Sequence, residues 1–180
     1  MTTFDNTKLT EVISRCHKEL DELFLLHQEA VLIGKFDKAI QLLNCFVELH
    51  HLHMHFEDEK LAPKLHELGD QGRWPASLYI DEHAKVQELI EKTQNNLLFL
   101  SEGKLSDKQL RREIIAALDR EKTVKGLCEH HQEREESGIL PELDSQTDTD
   151  WRVGIIEPFL KKWNAQVECN MEIVSGIDYL

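Results

Sequence analysis

Apolar residues recur at three- and four-residue intervals along most of this 180-residue chain, the spacing of a single buried helix face. From Asn6 to about Ile33 the stripe is Ile13, Leu20, Phe24 and Val31, and Gly34-Lys-Phe-Asp37 breaks it. A second stripe, Leu42, Phe46, Leu49, His53, Phe56 and Glu57, predicts a helix from about Asp37 to Leu68, stopped by Gly69-Asp-Gln-Gly72. Pro75 suits the first turn of a third helix to about Leu100, with Leu78, His83, Val86, Ile90 and Leu97 inward. Ser106 with Gln109 three residues on is a capping box for a fourth helix, running to about Ser137. Its inward stripe includes Ile114, Leu118, Val124, Cys128, His131 and Glu135. Asp144 to Asp150 reads as a polar linker. A shorter fifth helix spans roughly Trp151 to Met171, interrupted or bent near Pro158. No strand-like alternation of any length occurs.

The expected fold is therefore all-α: an up-down-up-down four-helix bundle over residues 1–143. Residues 144–180 form a linker and an additional C-terminal helix packing on the bundle as a lid or as a homodimer contact.

Two of the stripes end in the same pattern. His53-Met-His-Phe-Glu57 is followed six residues later by Pro63, and His131-Gln-Glu-Arg-Glu135 by Pro141. A His and a Glu four residues apart share one helix face. Helical phase puts His53 and Glu57 inside and leaves Asn44, Glu48, His51, His55 and Asp58 on the wet face. It also puts His130 off the inner face. His50 and His66 read as surface residues.

Residues equidistant from a hairpin turn face each other. His17 lies 18 residues before Lys35 and His53 lies 18 after it, so they are level. His27 is displaced by roughly 15 Å along the axis and reads as a core histidine. Across a loop centred near Leu105, Tyr79 and His83 both approach the level of His131. The same count leaves His83 too near its preceding turn to meet His53, unless the second helix ends early near Pro63 or the connection is longer. The candidate metal ligands are thus His17, His53, Glu57, Tyr79, His83, His131 and Glu135. Glu136 competes with Glu135, and Cys128, one turn before His131, reads as a small core residue. Four imidazoles and two carboxylates suit iron bridged by the carboxylates; zinc or manganese stays open, and magnesium or calcium would want oxygen ligands alone. Burying two carboxylates without a cation would be costly.

Composition narrows the partners. The net charge of -13 disfavours nucleic acid and anionic membrane surfaces. No apolar run approaches a membrane span, and Met-Thr-Thr-Phe-Asp-Asn has no secretory character. Four cysteines without a CxxC pair fit free thiols in a reducing cytoplasm.

With these residues in place, the chain resembles the hemerythrin-like, His-His-Glu cation-binding family from about Thr7 to Leu143. The resemblance rests on His17, on His53-x3-Glu57 with Pro63, on Glu82-His83, and on His131-x3-Glu135-Glu136 with Pro141. It implies a four-helix bundle holding two iron ions, carboxylate- and oxo- or hydroxo-bridged, that bind or react with O2, NO or peroxide. It implies His17, His53, His83 and His131 as terminal ligands and Glu57 and Glu135 as bridges. Oxygen-carrying hemerythrins have a fifth histidine, in a His-x3-His pair on the third helix. Here Tyr79 and Gln87 flank His83, so either a Tyr79 phenolate or a water takes that place. The expected function is a non-haem di-iron protein with peroxide- or NO-linked redox chemistry. An O2 or NO sensing module, or an iron store or donor serving iron–sulfur repair, are the alternatives.

Overall fold

The computed structural model describes residues 5–69 and 73–175. Every element among them is helical: α1 (Leu9–Leu32), α2 (Phe36–Phe56), a π-helical turn (Glu57–Leu61), α3 (Ala62–Glu67), α4 (Ala76–Ser101), α5 (Asp107–Ser137), α6 (Ile139–Gln146) and α7 (Thr149–Ser175). Helix α1 packs on α2, α2 on α4, α4 on α5 and α5 on α1, closing a ring of four around the core. The expected all-α bundle is what the chain forms. No helix among the described residues is long and apolar enough to cross a membrane. The expected break at residues 70–72 and the N-terminal residues 1–4 lie outside the described residues.

Two elements differ from the sequence reading. The second helix is not uniform to Leu68, because at Glu57 it widens into the π-helical turn before resuming as α3. Pro63, near the start of α3, supplies a cause. A proline has no N–H for the carbonyl four residues back and its ring collides with it, so a regular α-turn across Glu59 is disfavoured. The second copy breaks in the corresponding place. Helix α5 stops at Ser137, and Pro141 sits in the first turn of α6. The proline six residues beyond each glutamate thus marks where each helix is re-aimed just past that glutamate.

The second difference is the polar stretch Asp144 to Asp150, which is mostly helix end rather than linker. Asp144 reaches back to the start of α1, whose own flanking residue Lys8 provides no side-chain cap. Its carboxylate accepts from Leu9 N at 2.8 Å, Thr10 N at 3.1 Å and the Thr10 hydroxyl at 2.7 Å. Arg152 donates to Thr7 O at 2.9 Å and to Asp144 O at 3.0 Å, tying α1, α6 and α7 together. The capping box at α5 forms as read, with Gln109 Oε1 accepting from Ser106 N at 3.1 Å.

Helix α7 runs on through Pro158 and lies mainly along α2, with contacts to α1. Phe159 stacks on Phe56 with ring centroids 4.3 Å apart, and Trp163, 1% exposed, donates its indole N–H to Glu19 at 2.6 Å. The aromatic stack therefore backs the residue just before the π-helical turn.

Asp144→Ala leaves the first N–H groups of α1 without acceptors and loosens the Arg152 tie. It is expected to lower unfolding stability by about 1–2 kcal/mol, read as a lower urea midpoint with an unchanged slope.

Candidate metal centre

Six of the seven sequence candidates converge in the bundle interior: His17 from α1, His53 from α2, Glu57 from the π-helical turn, His83 from α4, and His131 and Glu135 from α5. All six are 4% exposed or less. They divide into two sets of potential ligand atoms, His17/His53/Glu57/Glu135 and Glu57/His83/His131/Glu135, so both carboxylates belong to both sets.

The contacts show how each carboxylate is shared. Glu57 Oε1 lies 3.2 Å from His53 Nε2, and its Oε2 lies 3.2 Å from His83 Nε2. Glu135 Oε2 lies 3.1 Å from His17 Nε2, and its Oε1 lies 3.0 Å from His131 Nε2. Within the pairs, Nε2 atoms approach to 3.3 Å for His17/His53 and 2.8 Å for His83/His131. Ligands held about 2.1 Å from a common ion sit roughly 3.0–3.4 Å apart, a range that holds all of these spacings except the shorter His83/His131 one.

The ring nitrogens facing outward explain the direction of those facing inward. His17 Nδ1–H donates to Glu136 Oε1 at 2.8 Å, His83 Nδ1–H to Asp58 Oδ1 at 2.8 Å, and His131 Nδ1–H to Glu82 Oε2 at 3.0 Å. A carboxylate only accepts, so in each case the proton sits on Nδ1 and the Nε2 lone pair can point to the centre. Glu82 is held in turn by Arg134. The His53 Nδ1 has no such partner, and neither oxygen of Glu57 receives a hydrogen bond. A buried space lined by lone pairs and carboxylate oxygens is suited to a cation.

With no ion present, protons do part of the work of positive charge. Burial pushes the Glu57 carboxyl well above its usual range, and the negative Glu135 pushes it further. Glu135 is also opposed by burial, but His131, His17 and His53 hold it well below the usual carboxylate range. Burial works against a charged His17, yet hydrogen bonds to Glu135 and Glu136 raise it to about 9. His131 is raised in the same way, against burial, chiefly by Glu135. Burial lowers His53 and His83, assisted by the neighbouring His17 and His131 respectively.

Tyr79 is buried, and its ring lies edge-on to His131 with centroids 6.2 Å apart. Its hydroxyl accepts from Ile139 N–H, and burial pushes the phenol up to about 12. The break between α5 and α6 lies beside it, at Gly138. A Cβ at Gly138 would lie 2.8 Å from the Tyr79 hydroxyl and 2.7 Å from the Arg134 carbonyl, so only glycine fits. Tyr79 here is a buried tyrosine whose polar end is satisfied by backbone.

Other expectations divide. His27 is a core histidine, 0% exposed, with Nδ1–H donating to Ala39 O at 2.9 Å and Nε2 3.3 Å from the buried Glu121. His51, His55, His66 and His130 are exposed. His50 is not a surface residue: it is 6% exposed and stacks on Phe46 at 5.2 Å, and burial lowers it to about 3. Asp58, expected on the wet face, keeps a side chain 38% exposed and from there reaches His83 Nδ1. Glu136 supports His17 from outside while Glu135 stands at the centre. The roles of Asp58 and Glu136 were missed by helical phase, although a signal was present: each acid directly follows a central glutamate, in both copies of the pattern. Cys128 is half-buried with its thiol pushed up to about 12, chiefly by burial.

No family model, curated protein or solved structure matches this chain.

Two outcomes test the centre. A raised His17 adds stability to the metal-free fold below the ordinary histidine range, and that stability is lost as pH rises through about 9. A raised Glu57 acts in the same sense, favouring the metal-free fold only while its carboxyl keeps its proton. Metal displaces these protons, so its stabilisation grows over the same window. Melts from about pH 7 to 9, above the range in which the lowered His50, His53 and His83 act in the opposite sense, should show the metal-free chain weakening while the difference made by metal increases. Glu57→Gln should raise the melting temperature of the metal-free chain, since the amide carries no charge to bury and its NH2 can donate to the lone pair of either His53 or His83, and weaken metal binding by more than about tenfold.

Proposed function

We propose that this chain is a non-haem di-iron protein of the hemerythrin-like type that binds or reacts with O2, NO or peroxide. The observation that carries the reading is the pair of buried carboxylates, each with one oxygen toward one histidine pair and the other oxygen toward the second. His17 and His53 would hold one ion and His83 and His131 the other, with Glu57 and Glu135 bridging. Iron there would supply one-electron exchange and open coordination positions for a small ligand.

The protein's own residues set the conditions for that chemistry. Glu136, Asp58 and Glu82 fix three imidazoles as Nδ1–H tautomers and increase their donor strength. The near-complete burial of the six groups excludes bulk water. Each half offers two imidazoles and two shared oxygens, with no fifth histidine at positions 79 or 87. The Tyr79 hydroxyl is occupied by Ile139 N–H, which favours water or an exogenous ligand in the vacant place over a phenolate. That supports reactivity toward peroxide or NO over reversible O2 carriage.

Protein produced with iron should carry two ions per chain by elemental analysis, with an oxo-bridge absorption and no phenolate-to-iron band. Glu57→Ala or His131→Ala should lose at least one ion. Full retention in both variants would refute the centre. Loaded protein should consume peroxide or NO faster than free iron; a reversible optical change under O2 cycling without turnover would instead favour sensing.

A further inference from the structure

On one flank of the six-residue cluster, three of the ligand-bearing helices border the same open space. A cavity of about 270 Å³ lies between α1 and α5 and reaches inward to α2. Leu20, His50 and Cys128 line it, each three residues along its own helix from a candidate ligand: His17, His53 and His131. Residues three apart share a helix face, so this wall of the cavity lies about one helical turn from candidate ligands on three helices, none of which itself lines it. The His50 ring centroid is 6.3 Å from that of His53.

The cavity's chemistry is uneven from outside to inside. Lys18, Glu22, Lys125 and Glu129 line it with mixed charge, so with the chain's net charge of -13 no anion is drawn in. Phe24, Phe46 and Val124 give it apolar walls. His50 is the exception among its buried residues, 6% exposed, its Nδ1 without a hydrogen-bond partner. A buried polar atom left without a partner is retained at a cost to the fold. The Phe46 stack holds the ring in place against that cost. The volume corresponds to several water molecules, enough for a small ligand and too little for a nucleotide-sized one.

We propose that His50 selects the ligand: at the inner end of this cavity it hydrogen-bonds a small uncharged molecule, hydrogen peroxide, and favours it over the weakly hydrogen-bonding O2 and NO. This rests on the di-metal reading of the adjacent centre. It assigns a role to a histidine that belongs to neither ligand set and is not needed to hold an ion.

The test compares wild type with His50→Leu, which keeps the volume, and His50→Gln, which restores a hydrogen-bonding group. All three are first assayed for metal. With metal retained, His50→Leu should slow the peroxide-driven absorption change by tenfold or more, leave NO affinity within twofold, and be largely rescued by His50→Gln. In crystals of metal-free protein, soaked methanol should sit against His50 in wild type and be lost in His50→Leu, whereas xenon under pressure should occupy the cavity in both. Equal effects on peroxide and NO, or no effect on either, overturn the proposal while the centre stands. Failure of wild type to take up metal overturns the reading of the centre and this proposal with it.

Discussion

The structure turns on two carboxylates placed where nothing donates to them except histidine. Glu57 and Glu135 are 4% and 1% exposed, and the atoms around them are imidazole nitrogens; three of those four rings have their outer N–H committed to another carboxylate. In an apolar interior such an arrangement is expensive unless positive charge enters it. Protons can fill that role when no ion is present: the carboxylates shift His17 and His131 toward the charged form, and burial with the neighbouring Glu135 shifts Glu57 toward the protonated one. A dication does the same with several lone pairs at once. Much else near the centre serves to keep those lone pairs aimed inward.

That aim is produced locally and twice. In each copy a helix delivers a histidine and, four residues on, a glutamate. The acid immediately after the glutamate then reaches the histidine of another helix: Asp58 to His83 on α4, Glu136 to His17 on α1. Consecutive residues in a regular helix point about 100° apart, so one of the two faces away unless the helix is adjusted. In the first copy the π-helical turn beginning at Glu57 makes the adjustment, braced by Phe56 against Phe159 of α7. In the second, Glu136 is near enough to the bundle edge to reach α1 while remaining partly exposed. Helix α7 thus contributes to the centre without touching it.

The bundle and the six central residues were legible because they follow from two regular geometries, helical phase and equal distance from a turn. What was not legible is what departs from regularity. Asp58 was assigned to solvent by phase, which does not show that its part-exposed side chain still reaches His83. His83 seemed too near its turn because the second helix was taken as regular, and it meets Glu57 and Asp58 rather than His53. His50 lies only a little off the predicted stripe, and its burial comes from the ring stack on Phe46 and the helices on either side. Asp144 looked like linker because its partners, Leu9 and Thr10, lie more than a hundred residues away in sequence. Tyr79 was chemically eligible from its position alone, and its commitment to Ile139 N–H depends on how closely Gly138 lets two chains approach.

The two halves of the centre match in ligand type but differ in support. His83 and His131 both give their outer N–H to a carboxylate, and Glu82 is further held by Arg134. His17 has Glu136, but the outer nitrogen of His53 has no partner. An imidazole whose far N–H is bound by a carboxylate is the stronger donor, so the His17/His53 half is the weaker of the two. His53, in that half, has its ring centroid 6.3 Å from that of His50. Weaker donors and adjoining space occur on the same side. On the di-metal reading, exchange of a small ligand would fall to that half, while the His83/His131 half, supported on both imidazoles, has the more anchored geometry.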